Sequence, residues 1–206
     1  MTHRVATFFV TVLIAMAAPG VAPAVQAATR SVCLDPGHGG TDTGTANGGI
    51  VEKDLNLDVA RRLGPLLEAS GYAVFYTRTG DTNPSRTERA QYCNSVGASI
   101  LVSVHHNGSS NAATDYTTAL YQKQIDKPLA TVISRAVAPA TSGSPPRIGQ
   151  FASGVLIKSD MPATISESYF LTNNAELAKL NDPTRDYRQE EAQALARGIV
   201  AYFQSH

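Results

Sequence analysis

From residue 31 onward the chain alternates strand-like and helix-like segments, and that order limits the folds open to it. Residues 31–35 read as a strand. Residues 52–70 read as a helix, with Leu55, Val59, Leu63 and Leu66 at spacings of three and four, ending at Ser70-Gly71. Residues 72–77 make a second strand, and 84–97 a helix opened by Pro84 and closed by Gly97. A third strand covers 99–106 and a fourth 117–122, before a helix over 128–138 and the loop 142–146. Two further strands are expected at 154–158 and 163–168, then helices at 174–180 and 187–204. This order predicts a single α/β sandwich, with helices on both faces of a mostly parallel sheet of about six strands. Right-handed crossovers would bring the ends of the first and third strands to one sheet edge, where ligands gather in open α/β folds.

The beginning of the chain has a different character. A short basic start, Met1-Thr2-His3-Arg4, precedes an uncharged run over 5–18 and small residues up to Ala27-Ala28. This is the pattern of a secretory signal peptide over 1–27, with cleavage expected near Ala27 or Ala28. The run is short for a membrane span and is broken by Pro19-Gly20, so no stable span is expected after cleavage. An uncleaved anchor helix stays open. Removal of the leader leaves about 180 residues, enough for one well-packed domain over 28–206. Formal net charge is +0 and no basic run occurs, which argues against nucleic acid as a partner. Export permits a disulfide between Cys33 and Cys93, although Cys33 also suits a buried apolar position; the sequence leaves both open.

Of the 5 histidines, those away from the termini fall in two short motifs. His38 lies in Asp35-Pro36-Gly37-His38-Gly39-Gly40, and His105 and His106 lie in Ser103-Val104-His105-His106-Asn107. Each motif follows an apolar strand, so the predicted topology brings His38 and His105 together. The glycine-rich turn lacks the spacing of the phosphate-binding loops. Strand alternation lets only one of His105 and His106 face His38. That position goes to His105, and His106 is expected behind it or in a substrate groove. A catalytic zinc typically takes three protein ligands and keeps one position open. Glu52, at the start of the first long helix, is the third candidate. Glu167 sits in a mostly uncharged strand, where an unpaired carboxylate is costly unless the chemistry uses it. A general base for an attacking water is such a use.

These motifs together resemble the zinc-dependent N-acetylmuramoyl-L-alanine amidases of the amidase-3 type. The resemblance runs through Leu34 to Gly40, Glu52 to Leu57, Ser103 to Asn107 and Pro162 to Asn173, with Thr77-Arg78, Arg89 and Asn94 in keeping with it. It implies Zn2+ on His38, Glu52 and His105, and Glu167 as the catalytic glutamate. It also implies hydrolysis of the amide between N-acetylmuramic acid and L-alanine in peptidoglycan, in the periplasm or cell wall. Two positions depart from the family pattern: His106 stands where a small residue is usual, and Tyr169 where glycine is usual. Both are therefore expected to line the groove, with Asn107 and Arg147 as further substrate contacts from loops 107–116 and 143–153. Some relatives plug the site with an inserted helix. Here the stretch from His106 to Pro146 is taken up by a strand and a helix, so constitutive activity is expected. A monomer acting on peptidoglycan or muropeptides is expected. A zinc peptidase cutting within stem peptides, or a non-catalytic wall-binding module, are the alternatives.

Overall fold

The computed structural model describes Met1 and residues 30–206. The expected leader therefore lies, Met1 apart, outside the described residues. Strand β1 (Ser31–Pro36) runs through the glycine loop into a small hairpin, β2 (Ala46–Asn47) with β3 (Ile50–Val51), and then helix α1 (Glu52–Ala69). There follow β4 (Ala73–Tyr76), α2 (Arg86–Ser95), β5 (Ile100–Asn107), β6 (Thr118–Tyr121) and α3 (Lys127–Val137). The chain closes with β7 (Arg147–Gln150), α4 (Gly154–Ile157), β8 (Ala163–Phe170), α5 (Asn174–Leu180) and α6 (Tyr187–Ser205).

The main sheet has 6 strands in the order β4-β1-β5-β8-β6-β7. All neighbours are parallel except β6 and β8, which are antiparallel. The central strands β1, β5 and β8 are buried almost throughout because both faces of the sheet are covered. Val32, Leu34, Ile100, Val102 and Val104 pack under α1, α3 and α6 in the larger core. The alternate residues Cys33, Leu101, Ala163 and Ile165 meet Cys93 of α2 and Val155 and Leu156 of α4 in a smaller one. A disulfide joins Cys33 to Cys93, so β1 is tied to α2 and the question left open by the sequence is answered. Helix α2 starts with a reciprocal cap: Glu88 N donates to Ser85 Oγ at 3.3 Å, and Ser85 N donates to Glu88 Oε2 at 2.7 Å.

The predicted α/β sandwich is the fold observed, but one strand was misplaced. Residues 154–158, with the short apolar run Val155-Leu156-Ile157, were expected to be extended. They form the single helical turn α4, whose Ile157 N donates to Ser153 O at 2.8 Å. The turn lets the adjacent residues Val155 and Leu156 both enter the smaller core, which a strand would not allow. The sixth strand is β7, an edge strand from the expected loop 143–153. Its mostly exposed residues carry no hydrophobic alternation to announce it.

Candidate metal centre and groove

The two histidines approach each other as the topology predicts. The ends of β1 and β5 are neighbours, with Asp35 beside Ser103 and Pro36 beside Val104. Gly37 follows, and its N–H donates to Val104 O at 3.0 Å. A Cβ at Gly37 would collide with the His105 ring, so glycine here is required by the closeness of the two motifs. His38 itself adopts φ 59°, a left-handed conformation rare in a residue with a side chain, and this turns its ring toward the sheet end.

Glu52 is the first residue of α1 and is 3% exposed. Its Oε1 lies 3.1 Å from His38 Nε2 and 3.1 Å from His105 Nδ1. The His106 backbone N–H donates to the same oxygen at 3.2 Å, and Thr45 N–H donates to Oε2 at 2.8 Å. His38 Nδ1 lies 2.9 Å from Asp42 Oδ1, close but too poorly aligned for a hydrogen bond. Burial works against ionisation of Glu52, yet the hydrogen bonds and charges of His105 and His38 hold it well below the usual carboxylate range. The hydrogen bond to Glu52 is the main cause that raises His38 to about 9, against the opposing effect of burial. One potential ligand atom from each of His38, Glu52 and His105 lies within 4.8 Å of the others. Two imidazole nitrogens and a carboxylate oxygen are a donor set that suits zinc.

Glu167 stands on β8 directly beside His105 of β5, so the two side chains leave the sheet on the same face. Burial pushes its carboxyl above the usual range, partly offset by His105. Its carboxylate accepts no hydrogen bond among the described residues. His38, His105 and Glu167 line one groove of about 490 Å³. The far wall is the start of α2, Asn83 to Thr87, with Phe151, Ser153 and Val155 from the segment after β7.

The other expected groove residues lie elsewhere. His106 is 1% exposed and Tyr169 is 0% exposed, both facing the larger core. Alternation sends His106 to the face opposite His105. Tyr169 fails for a different reason. Between the pairs His105–Glu167 and Asn107–Phe170, β8 advances three residues while β5 advances two. This bulge reverses the alternation after Glu167, so Tyr169 leaves the groove face. The two positions that depart from the family pattern therefore meet each other, with rings parallel to within 3° and centroids 6.1 Å apart. Asn107 turns its Oδ1 back to accept from Gly108 N at 2.9 Å. Arg147 lies on the edge strand, its guanidinium 4.2 Å from the Tyr116 ring centre. Neither lines the groove. Sequence reasoning missed Asp42, Arg86 and Phe151. Asp42, four residues after His38 in a loop with its own turn, offered the best chance of detection; isolated Arg86 and Phe151 offered none.

The comparisons with known proteins agree with this geometry. The profile of Amidase_3, N-acetylmuramoyl-L-alanine amidase, matches residues 32–201. The N-acetylmuramoyl-L-alanine amidase LytC of Bacillus subtilis (strain 168) is 35% identical over 179 residues, covering 84% of this chain but only 36% of LytC. The uncharacterized protein YqiI of the same organism is 28% identical, covering 89% of this chain and 91% of YqiI. Among solved structures, the catalytic domain of CwlV, an amidase from Bacillus (Paenibacillus) polymyxa var. colistinus, superimposes with a TM-score of 0.80 at 30% identity, covering 86% of this chain and 100% of that one. AmiC2 of Nostoc punctiforme gives 0.79 at 30% identity, covering 85% and 97%. By its profile and by its fold, the chain belongs to the Amidase_3 family of N-acetylmuramoyl-L-alanine amidases.

Proposed function

We propose that the chain is a zinc-dependent hydrolase that cuts the amide between N-acetylmuramic acid and the L-alanine of the stem peptide in peptidoglycan. The observation that carries this reading is the convergence of His38, Glu52 and His105 at a groove which Glu167 enters from the neighbouring strand. In this reading His38, His105 and Glu52 would hold the ion, each offering one ligand atom. When bound, zinc would supply Lewis acidity at the scissile carbonyl and make water acidic enough to attack near neutral pH.

The remaining work falls to the chain's own groups. Glu167, held in a partly dry setting and free of donors, takes a proton from the attacking water. It passes that proton to the nitrogen of the departing L-alanine as the carbon–nitrogen bond breaks, so it is base and then acid. Asp42, beside His38 Nδ1, orients that ring by charge. The groove wall at Asn83 to Thr87, with Phe151, is where the rest of the substrate would rest.

Action at the cell wall after export is part of the same reading. The Cys33–Cys93 disulfide supports an oxidising compartment. None of the described helices is long and apolar enough to cross a membrane. The segment between His106 and Pro146 folds into β6 and α3, and α3 packs with α6 on the other face of the sheet from the groove. Activity without a partner protein is accordingly expected.

Mass spectrometry of products from defined muropeptides, with and without a chelator, tests the proposal. Intact stem peptides with a free L-alanine amino terminus, absent under chelation, are expected. Cleavage within the stem peptide would replace the amidase reading with a peptidase one. No cleavage under either condition would leave only wall binding.

A further inference from the structure

His106 is buried for a reason that the reaction as described does not use. Its side chain and that of Glu191, on α6, are both 0% exposed, and Nε2 lies 3.0 Å from Glu191 Oε2. Its Nδ1 lies 2.7 Å from Asn56 Oδ1, one turn into α1 from Glu52. Asn56 in turn donates from Nδ2 to Gly37 O at 3.1 Å and approaches Glu52 Oε1 at 3.5 Å. These contacts fix the direction of the chain of bonds. Gly37 O and Glu52 Oε1 are acceptors, so Asn56 must turn its amino group to them and its oxygen to His106. His106 Nδ1 must then be the donor to Asn56, leaving Nε2 to meet the Glu191 carboxylate. An apolar residue at 106 would fill the space but leave Asn56 without this orientation.

The geometry points to His106 as a positioning residue: clamped between Glu191 and Asn56, it fixes the Asn56 amide on Gly37 and Glu52 and so sets the placement of the metal cluster from helix α6. Both ends of the cluster are reached. Gly37 is the residue before His38, and Glu52 is the carboxylate shared by both histidines. The His106 backbone N–H, donating to Glu52 Oε1, adds a second hold on the same atom. Groups that orient ligands in this way typically change metal affinity or activity by about 10–100-fold when removed.

The inference rests on the reading of His38, Glu52 and His105 as zinc ligands. Its test is a zinc titration of the metal-stripped full chain against a chromophoric chelator, comparing wild type with the double variant His106→Leu/Glu191→Leu. Removing both members avoids stranding Glu191, whose Oε2 meets only His106 and whose Oε1 has no hydrogen-bond partner among the described residues. Replacing a buried ionic pair with apolar side chains is often neutral or stabilising. The expected result is a variant that still melts cooperatively, at a temperature lowered at most by the loss of the donor to Asn56 Oδ1, together with zinc binding about 10–100-fold weaker. A fall in kcat with KM within about twofold should accompany it. Zinc binding within about twofold of wild type, in a cooperatively melting variant, would overturn the role of His106 alone. If wild type takes up no zinc, the reading of the cluster and this role both fall. Should the double variant not melt cooperatively, Asn56→Ala, which removes the middle link, is judged by the same two zinc outcomes.

Discussion

The two banks of the groove are built on opposite plans. On the His38 bank almost every polar atom is committed. Asp35, 1% exposed, accepts from Thr77 Oγ1 at 2.5 Å, Ser103 Oγ at 2.6 Å and Arg89 Nη1 at 2.9 Å. Arg89 also donates to the carbonyls of Pro36 and His38, and Arg78 to those of Pro36, Gly37 and Lys53. The disulfide then ties β1 to the helix that carries Arg89. On the Glu167 bank, no donor among the described residues reaches the Glu167 carboxylate, and the strand bulges just beyond it. Behind the bulge, Glu176 has one buried oxygen without a hydrogen-bond partner among the described residues. A ligand must stay where it is placed, whereas a base must gain and lose protons. Donors that pinned Glu167 would favour its charged form and weaken it as a base.

The largest expected effect breaks the function of the free bank and leaves its stability alone. Glu167→Gln should lower amidase turnover on muropeptides by about 10²–10⁴-fold. Because no hydrogen bond is lost, its melting temperature and its zinc content by elemental analysis should match wild type. Loss of zinc instead would make Glu167 a ligand, and full turnover would remove it from the chemistry. The committed bank should respond in the opposite way. Arg89→Ala strands the buried Asp35 carboxylate, which typically costs about 3–5 kcal/mol. Denaturant unfolding should show this loss. If stability is unchanged, the donors around Asp35 are redundant and the two banks differ less than their hydrogen bonds indicate.

The contrast also explains what could be read in the sequence. The α/β order followed from hydrophobic period, and the meeting of His38 with His105 from the handedness of the crossovers that this order implies; Glu52 was marked by its place at a helix start and Glu167 by its mostly uncharged strand. The failures sit where one added residue or one distant partner decides. The bulge after Glu167 carried Tyr169 to the other face, and nothing in Glu167-Ser168-Tyr169-Phe170 announces it. For His106 the sequence left a place behind His105 or in the groove, and it could not choose the first because the partner Glu191 lies 85 positions away, within an unremarkable helical stretch. Residues 154–158 looked extended because a single turn of helix is too short to show a period.

The disulfide belongs to the committed bank, and its removal should have an intermediate effect. It closes a separation of 60 residues, for which chain entropy predicts up to about 4 kcal/mol. Cys33→Ala/Cys93→Ala should therefore lose about 2–4 kcal/mol in denaturant melts. The loss should be accompanied by weaker zinc binding only if the tie between β1 and α2 also holds the His38 loop in place. Stability lost with zinc affinity intact would confine the disulfide to the smaller core, leaving the two arginines to hold the loop.

The smallest effect concerns Glu176, and its sign is opposite to that of Asp35. Burial raises the Glu176 carboxyl to about 7 from 4.5; the hydrogen bond from Phe170 N–H opposes this, Asp115 adds to it, and Lys179, 3.6 Å away, offsets part. The folded chain then keeps a proton that the unfolded chain releases at lower pH. The associated stability is complete below the unfolded value of 4.5 and is lost as pH rises through about 7. The slope in that window is no steeper than about 1.4 kcal/mol per pH unit. Asp35 behaves in reverse: its pKa is held below the ordinary 3.8, so its contribution is present above that value and is lost only in acid. Glu176→Gln stays neutral and can still accept from Phe170 N–H, so its melting temperature should fall less than wild type between about pH 5 and 7. Curves that run parallel across this window would mean that the proton is not held at Glu176, and that the free bank is no more sensitive to rising pH than the committed one.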